Sequence, residues 1–314
     1  MHFGLCRQNP LRGCNMTITT AVAHRLALKN ILFGTDFSSC SDAAFSYARS
    51  IAHRYGATLN VAHVLPSTAS MLAMSPEFGM EAALHEDRRV QGYVEQIESQ
   101  LETIPHHVLI PRGRVADELA RIIEDHKIDL LVLGTHGRSG IRKLIMGSVA
   151  EETFRRAGCP VLSVGPNVCC EPDALASFHR MLFATNFSRE SLAALPYAIS
   201  FAEEDEARLT ILHFVEQPPG PAQGMTEKYL LGRLEELIPA DADFRFHPEC
   251  RVELGELFIP PAQGILDVAE RREADLIVLG VRAVRGSLGL ITHLSTTTAQ
   301  VLTQARCPVL TVRS

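Results

Sequence analysis

Residues able to do chemistry concentrate in one stretch of the chain. Gly134-Thr135-His136-Gly137 is followed by nine residues and then Gly147-Ser148. An apolar run of strand length, Asp129-Leu-Leu-Val-Leu133, ends at Gly134. A helical pattern carrying Val149, Thr153 and Phe154 on one face begins at Gly147-Ser148. Glycine at the end of a strand lets a ligand approach the backbone, because no Cβ intervenes. A helix start presents unpaired N–H groups and the positive end of a dipole, a setting that suits phosphate. Ser148 adds a hydroxyl there. The stretch therefore reads as a phosphate-cradling loop between a strand and a helix. It is not a Walker A loop, since no Gly-x4-Gly-Lys-Ser/Thr occurs. Nor is it the dinucleotide fingerprint, whose glycines are closer together and follow the first strand of a unit.

Other residues have two readings each. Arg138, Arg142 and Lys143 lie between the glycines, where they could neutralise phosphate or form a solvated surface. His136 could approach a phosphate or face solvent. Asp36 could accept hydrogen bonds from hydroxyls of a ligand, or serve as a turn or cap residue. His63 and His213 end equivalent apolar runs and read first as packing histidines. No Ser-His-Asp set and no His-x3-His pair emerges, so no catalytic acid or base is named.

Regular elements position these residues. Ile31–Thr35 is a short apolar strand, Ser41–Tyr55 a helix ended by Gly56, and Thr58–Leu65 a second strand. Residues 66 to 80 read as a loop, and an amphipathic helix runs from about Met80 to Thr103. His107–Pro111 is a third strand and Val115–His126 a helix. The glycine stretch follows, then the strand Val161–Val164. Strands alternating with helices at this spacing predict an α/β fold built from right-handed parallel βαβ units.

The pattern then starts again. Met181-Leu-Phe-Ala-Thr-Asn-Phe-Ser188 copies Ile31-Leu-Phe-Gly-Thr-Asp-Phe-Ser38, and Ala207–His213 copies Ala57–His63, both at an offset of 150. Asp275–Gly280 copies Asp129–Gly134 at 146, and Ala305–Val312 copies Ala157–Val164 at 148. Four matches in one order are the mark of an internal duplication. Residues 1–27 lack periodicity and read as an N-terminal extension with Met16 as an alternative start. Residues 167–178 read as a linker.

Composition bounds the remaining classes. The 314 residues are 46% hydrophobic and 21% charged, with a net charge of −6. That suits a globular protein with real cores, and argues against a nucleic-acid surface as the main business. No apolar run reaches the roughly 18 residues of a membrane span, and no secretory signal is evident. The eight cysteines include no Cys-x2-Cys spacing. Cys159 and Cys307 read as small buried hydrophobes, and Cys169-Cys170 as linker residues open to oxidation. A cytoplasmic setting is expected.

The spacing Gly134-x2-Gly137-x9-Gly147-Ser148, placed after a fourth strand, resembles the ATP-binding motif of the universal stress protein family. With the duplication, the chain is similar to a tandem two-domain member, with domains at 28–166 and 179–314. The resemblance implies two tandem doubly wound parallel five-stranded sheets of strand order 3-2-1-4-5, flanked by helices. It implies a ligand at the strand ends between the first and fourth strands. Asp36 and the backbone at Gly134 would meet the ribose, and Val64 the adenine. Gly137, Gly147, Ser148 and Val149 would hold the phosphates. ATP, with magnesium, is the implied cofactor.

The second copy departs from the motif. Asn186 stands in place of Asp36, the loop after Gly280 is two residues longer, and Ser295-Thr296 stands in place of Gly147-Ser148. Its site is expected to be degenerate and its role mainly structural. The fifth strands, Val161–Val164 and Val309–Val312, could pair within one chain, as domains of this family pair; a homodimer is a further expectation. The expected function is ATP binding in stress response or signalling. The alternatives are slow ATP hydrolysis or autophosphorylation at the same site, and a non-nucleotide module acting by dimerisation.

Overall fold

The computed structural model describes residues 26–67, 79–135, 147–168, 176–216, 223–239, 248–255, 259–282 and 295–313. The first copy runs β1 (Asn30–Gly34), α1 (Ser39–Tyr55), β2 (Thr58–Ala62), α2 (Gly79–Gln100), β3 (His106–Leu109), α3 (Val115–Asp125), β4 (Leu130–Gly134), α4 (Ser148–Arg156) and β5 (Val161–Val164). The second runs β6 (Arg180–Ala184), α5 (Arg189–Leu192), α6 (Leu195–Glu204), β7 (Arg208–Val215), α7 (Gln223–Glu235), β8 (Glu249–Leu254), α8 (Pro261–Arg271), β9 (Leu276–Val281), α9 (Thr296–Gln304) and β10 (Val309–Arg313).

Local chemistry sets the element ends. Ser38 caps α1 by accepting from the Ser41 N–H, and Gly56 closes it in the left-handed conformation at φ 61°. α3 buries Ala116, Leu119, Ile122 and Ile123 at helical spacing, with Asp117 and Glu118 in its first turn, where the dipole favours them. Asp129 accepts the N–H groups of Lys29 and Asn30 at 2.8 and 2.9 Å, tying the start of β1 to β4. Asp275 does the same for His179 and Arg180, at 2.7 and 3.0 Å.

All ten strands form one sheet, in the order β3-β2-β1-β4-β5-β10-β9-β6-β7-β8. Each half keeps the order 3-2-1-4-5 in its own count and is parallel throughout. The halves meet where β5 pairs antiparallel with β10, Leu162 opposite Leu310. The expected pairing of the fifth strands thus joins two five-stranded sheets, each of order 3-2-1-4-5, into one continuous sheet. Either fifth strand alone would be a buried edge with unpaired main-chain groups, and pairing satisfies both.

Alternate residues along the strands feed two apolar layers that both cross this seam. One contains Ile31, Phe33, Val132, Phe183, Val278 and Leu310. The other contains Leu32, Leu131, Val161, Leu182, Ile277 and Val309.

Two further differences have simple causes. The second strand ends at Ala62 rather than Leu65, and Leu65 makes only an isolated bridge to Arg112. The counterpart of α1 is split into α5 and α6, because Pro196 stands in the first turn of α6. Proline has no N–H for the carbonyl four residues back, so one continuous helix cannot pass through it.

Candidate functional site

In the first copy the chain leaves β1 and β4 in opposite directions, which opens a crevice at their carboxyl ends. A cavity of about 330 Å³ lies there, within the size range of small-molecule sites. Asp36, Val64, Gly134, Gly147, Ser148 and Val149 all line it. Sequence separations of up to 113 positions are thereby closed around one cavity. Gly137, His136, Arg138, Arg142 and Lys143 lie outside the described residues.

One wall is the turn after β1. Phe37 adopts φ 58°, a strained value for a bulky side chain. Its N–H donates to Thr35 Oγ1 at 3.0 Å. Asp36 Oδ1 accepts from the Ser38 N–H at 3.1 Å and from the Ser41 hydroxyl at 2.7 Å. His63 Nδ1 lies 2.8 Å from the Thr35 carbonyl oxygen. A carbonyl only accepts, so Nδ1 carries the hydrogen. The Phe37 ring packs on His63 at 4.3 Å and stacks on Tyr93 at 4.1 Å. His63 is thus the packing histidine expected, and it also lines the cavity. The nearby Asp42 carboxyl is raised above its ordinary range, first by burial and then by the Asp36 charge.

A second wall is apolar. Val64, Val115, Leu119 and Leu133 present methyl groups to the cavity, a surface for a flat ring. Val115 and Leu119 escaped the sequence reading. They carry the same 3.6-residue signal as the helix core, and only the packing of α3 over β4 separates cavity wall from core.

The third wall is the start of α4. Gly147 is the N-cap residue and supplies no side-chain cap. Its own N–H donates to the Thr135 carbonyl at 3.1 Å. Ser148, Val149 and Ala150 follow along the cavity, and Val149 is half exposed at its mouth. The N–H groups of a first helical turn have no partner within the helix. Among the described lining residues there is no lysine or arginine, and Asp36 is the one carboxylate. Recognition of an anion by these residues therefore falls to main-chain N–H groups, the helix dipole and hydroxyls such as that of Ser148.

The second copy repeats the turn closely. Phe187 adopts φ 60° and donates to Thr185 Oγ1 at 3.0 Å, and His213 Nδ1 meets the Thr185 carbonyl at 2.8 Å. Asn186 Oδ1 accepts from the Ser188 N–H at 3.1 Å, as Asp36 does from Ser38. With no carboxylate at 186, the Ser191 hydroxyl donates to the Ser188 carbonyl at 2.9 Å and lies 2.8 Å from Thr185 Oγ1.

Elsewhere the copies diverge. Phe214 replaces Val64, and its ring lies against Gly264 of α8 so closely that an added Cβ there would collide with it. A Cβ on Gly255 would come within 2.6 Å of the same ring. The start of α9 is filled by its own residue: Ser295 Oγ accepts from the Thr298 N–H at 3.1 Å. At Gly280, the counterpart of Gly134, a Cβ would collide with the Glu190 backbone. That glycine is accounted for by helix packing alone.

The cysteine reading holds for the two buried thiols. Burial pushes both Cys159 and Cys307 up to about 12. Cys169 and Cys170 lie outside the described residues. Among the described residues no helix is long and apolar enough to cross a membrane, and no His/Cys/Asp/Glu group could hold a metal ion.

Comparison with known proteins places these observations. The universal stress protein family matches the chain twice, over residues 27–165 and 177–313. A universal stress protein of Methanocaldococcus jannaschii is 31% identical over 140 residues, covering 43% of this chain and 81% of its own. Universal stress protein A homolog 1 of Coxiella burnetii is 31% identical over 143 residues, covering 43% of this chain and 95% of its own. The crystal structure of a universal stress protein from Archaeoglobus fulgidus has the same fold over 92% of this chain and 99% of its own, with a TM-score of 0.66 at 20% identity.

Proposed function

The chain belongs to the universal stress protein family, and from that premise we propose that the first-copy cavity is an adenine-nucleotide site with ATP as its ligand. The base would lie against Val64, Val115 and Leu119, with Asp36 facing the ribose hydroxyls. The phosphates would meet the N–H groups of Ser148 and Val149, the Ser148 hydroxyl and the glycine loop. Residues 28–166 and 179–314 are the two domains of this reading, joined by 167–178, and the second domain is structural. The two halves pair with each other through β5 and β10.

One observation carries the reading. The α4 start opens into a cavity with an apolar wall and carries no side-chain cap, while the equivalent α9 start is occupied by Ser295. A magnesium ion is commonly held by one or two carboxylates together with substrate phosphates. The Oδ1 of Asp36 is engaged by Ser38 and Ser41, so the described residues do not build a protein-held magnesium site. Any magnesium would arrive with the phosphates. Asp36 and His63 are the titratable groups of the described lining, and both hold the turn. Binding rather than hydrolysis is accordingly the activity proposed. Isothermal titration of the full chain with ATP should give one site per chain. Two equal sites, or no heat with ATP and adenosine alike, would refute it.

A further inference from the structure

The seam places a cation of the second copy on the phosphate-side helix of the first. Arg313 ends β10 and is half-buried. Its Nη1 donates to the carbonyls of Arg155 and Ala157, each at 3.0 Å, and its Nη2 donates to the carbonyl of Phe154. The guanidinium carbon also sits 5.0 Å from the centre of the Phe154 ring. α4 ends at Arg156, so these oxygens belong to its last turn and the residue after it, where carbonyls have no partner within the helix. The other end of the same helix is Gly147-Ser148, about 13 Å away at 1.5 Å per residue.

The mirror position is different. Gly165 follows Val164 as Arg313 follows Val312. A Cβ on Gly165 would lie 3.6 Å from the Leu302 carbonyl and 3.8 Å from that of Ala305, at the end of α9. Each copy's last strand therefore points this position at the other copy's helix. A cation stands over the helix of the copy with the open site, and a glycine over the helix of the copy whose start is capped by Ser295.

We propose that Arg313 is a positioning residue for the nucleotide site: the second copy clamps the far end of α4 and so holds the Ser148 and Val149 amides in place for the phosphates. This rests on the adenine-nucleotide reading above. A helix of nine residues is too short to hold itself and takes its order from tertiary contacts. Three carbonyls on one planar fork fix both the position and the direction of the helix end. A positive charge at that end also complements the dipole whose other end faces the phosphates. Burial pushes the guanidinium down to about 10, which leaves it charged at neutral pH. The second domain thereby sets the affinity of the first.

The test uses the full chain with Arg313→Ala and Arg313→Lys, titrated with ATP and with adenosine. The clamp acts on the phosphate end, so Arg313→Ala should weaken ATP about tenfold and leave adenosine unchanged. Arg313→Lys keeps the charge without the fork, so it should recover part of the loss. Hydrogen exchange of the nucleotide-free protein should show the α4 amides opening faster in Arg313→Ala while those of β1 and β4 hold. Equal losses for ATP and adenosine, or unchanged ATP affinity, would overturn the proposal. If the wild type binds neither ligand while the exchange result appears, the nucleotide reading has failed and this proposal falls with it, although the clamp itself is real.

Discussion

The starts of α4 and α9 are the same element drawn from the same ancestral sequence, and they do opposite things. Gly147 leaves the first turn of α4 without a side-chain cap beside a cavity, and Ser295 closes the first turn of α9 with its own hydroxyl. Around them the copies share the strained Phe37 and Phe187, the Thr35 and Thr185 hydroxyls beneath them, and the His63 and His213 contacts to the turn. What the copies share is what the fold requires. Asp36 illustrates the distinction: Asn186 makes the same bond to the turn, so folding needs only a side-chain oxygen there, and the charge is the part left for function.

The sharpest way to break the contrast is to give the first copy a side-chain cap of its own, with a charge that Ser295 lacks. In Gly147→Asp the new Cβ would meet the Thr135 carbonyl at 3.4 Å, an ordinary contact. The carboxylate should satisfy the α4 amides and stabilise the protein by only about a few tenths of a kcal/mol, because glycine is already a tolerated N-cap. It should also repel phosphate, lowering ATP affinity about a hundredfold, or about 3 kcal/mol. Calorimetry and a thermal melt would read both effects, and unchanged affinity would end the comparison.

The next largest effect is expected at Phe214. Phe214→Ala should cost about 3 kcal/mol in urea unfolding, the low end for a phenylalanine because the ring is only partly buried, since Gly255 and Gly264 leave its space with nothing else to fill it. It should not by itself create a second ATP site, since Ser295 and Asn186 remain. Adding Ser295→Gly and Asn186→Asp should raise the stoichiometry towards two, and a value fixed at one would show that the longer second-copy loop decides instead.

Asp36→Asn imposes the second copy's amide on the first. Stability should change by no more than about 0.5 kcal/mol, while ATP affinity falls about tenfold, as seen by titration. A large loss of stability would mean that the Ser41 contact, not a ligand, is what Asp36 serves.

The smallest difference is expected from the thiols. The unfolded chain loses its Cys159 and Cys307 protons near the ordinary 9.0, and the folded protein keeps them to about 12. Between these values the unfolded state binds fewer protons, so stability falls as pH rises. Urea midpoints compared at about pH 8 and about pH 10 should drop, and Cys159→Ala and Cys307→Ala should each remove a similar share. Unequal shares would reveal an asymmetry in the core that the two sites do not explain.

Much of the fold was legible because the relevant signals are local. A 3.6-residue pattern, a glycine past a helix end and an alternating run of strand length each depend on neighbours in sequence. The duplication acted as a second copy of the evidence, and placed Asp36, Val64 and Gly147 on comparable elements. The split of α1's counterpart was also written in the chain, at Pro196, but repetition of the flanking strands concealed it. Val115 and Leu119 were hidden for a different reason, since core and cavity wall are the same chemistry until a neighbour is absent.

The residues alone determined the α/β repeat, the glycine-rich approach to α4 and the loss of motif in the second copy, while the strand order came only through the family resemblance. Only the folded chain decided that both apolar layers run on across the seam, that Phe214 closes over Gly264, and that Arg313 reaches the Ala157 carbonyl across 156 positions. Those outcomes depend on side chains meeting after long loops have closed. Periodicity carries no information about which distant surfaces will meet, because that is settled by burying two sheet edges and two apolar layers together.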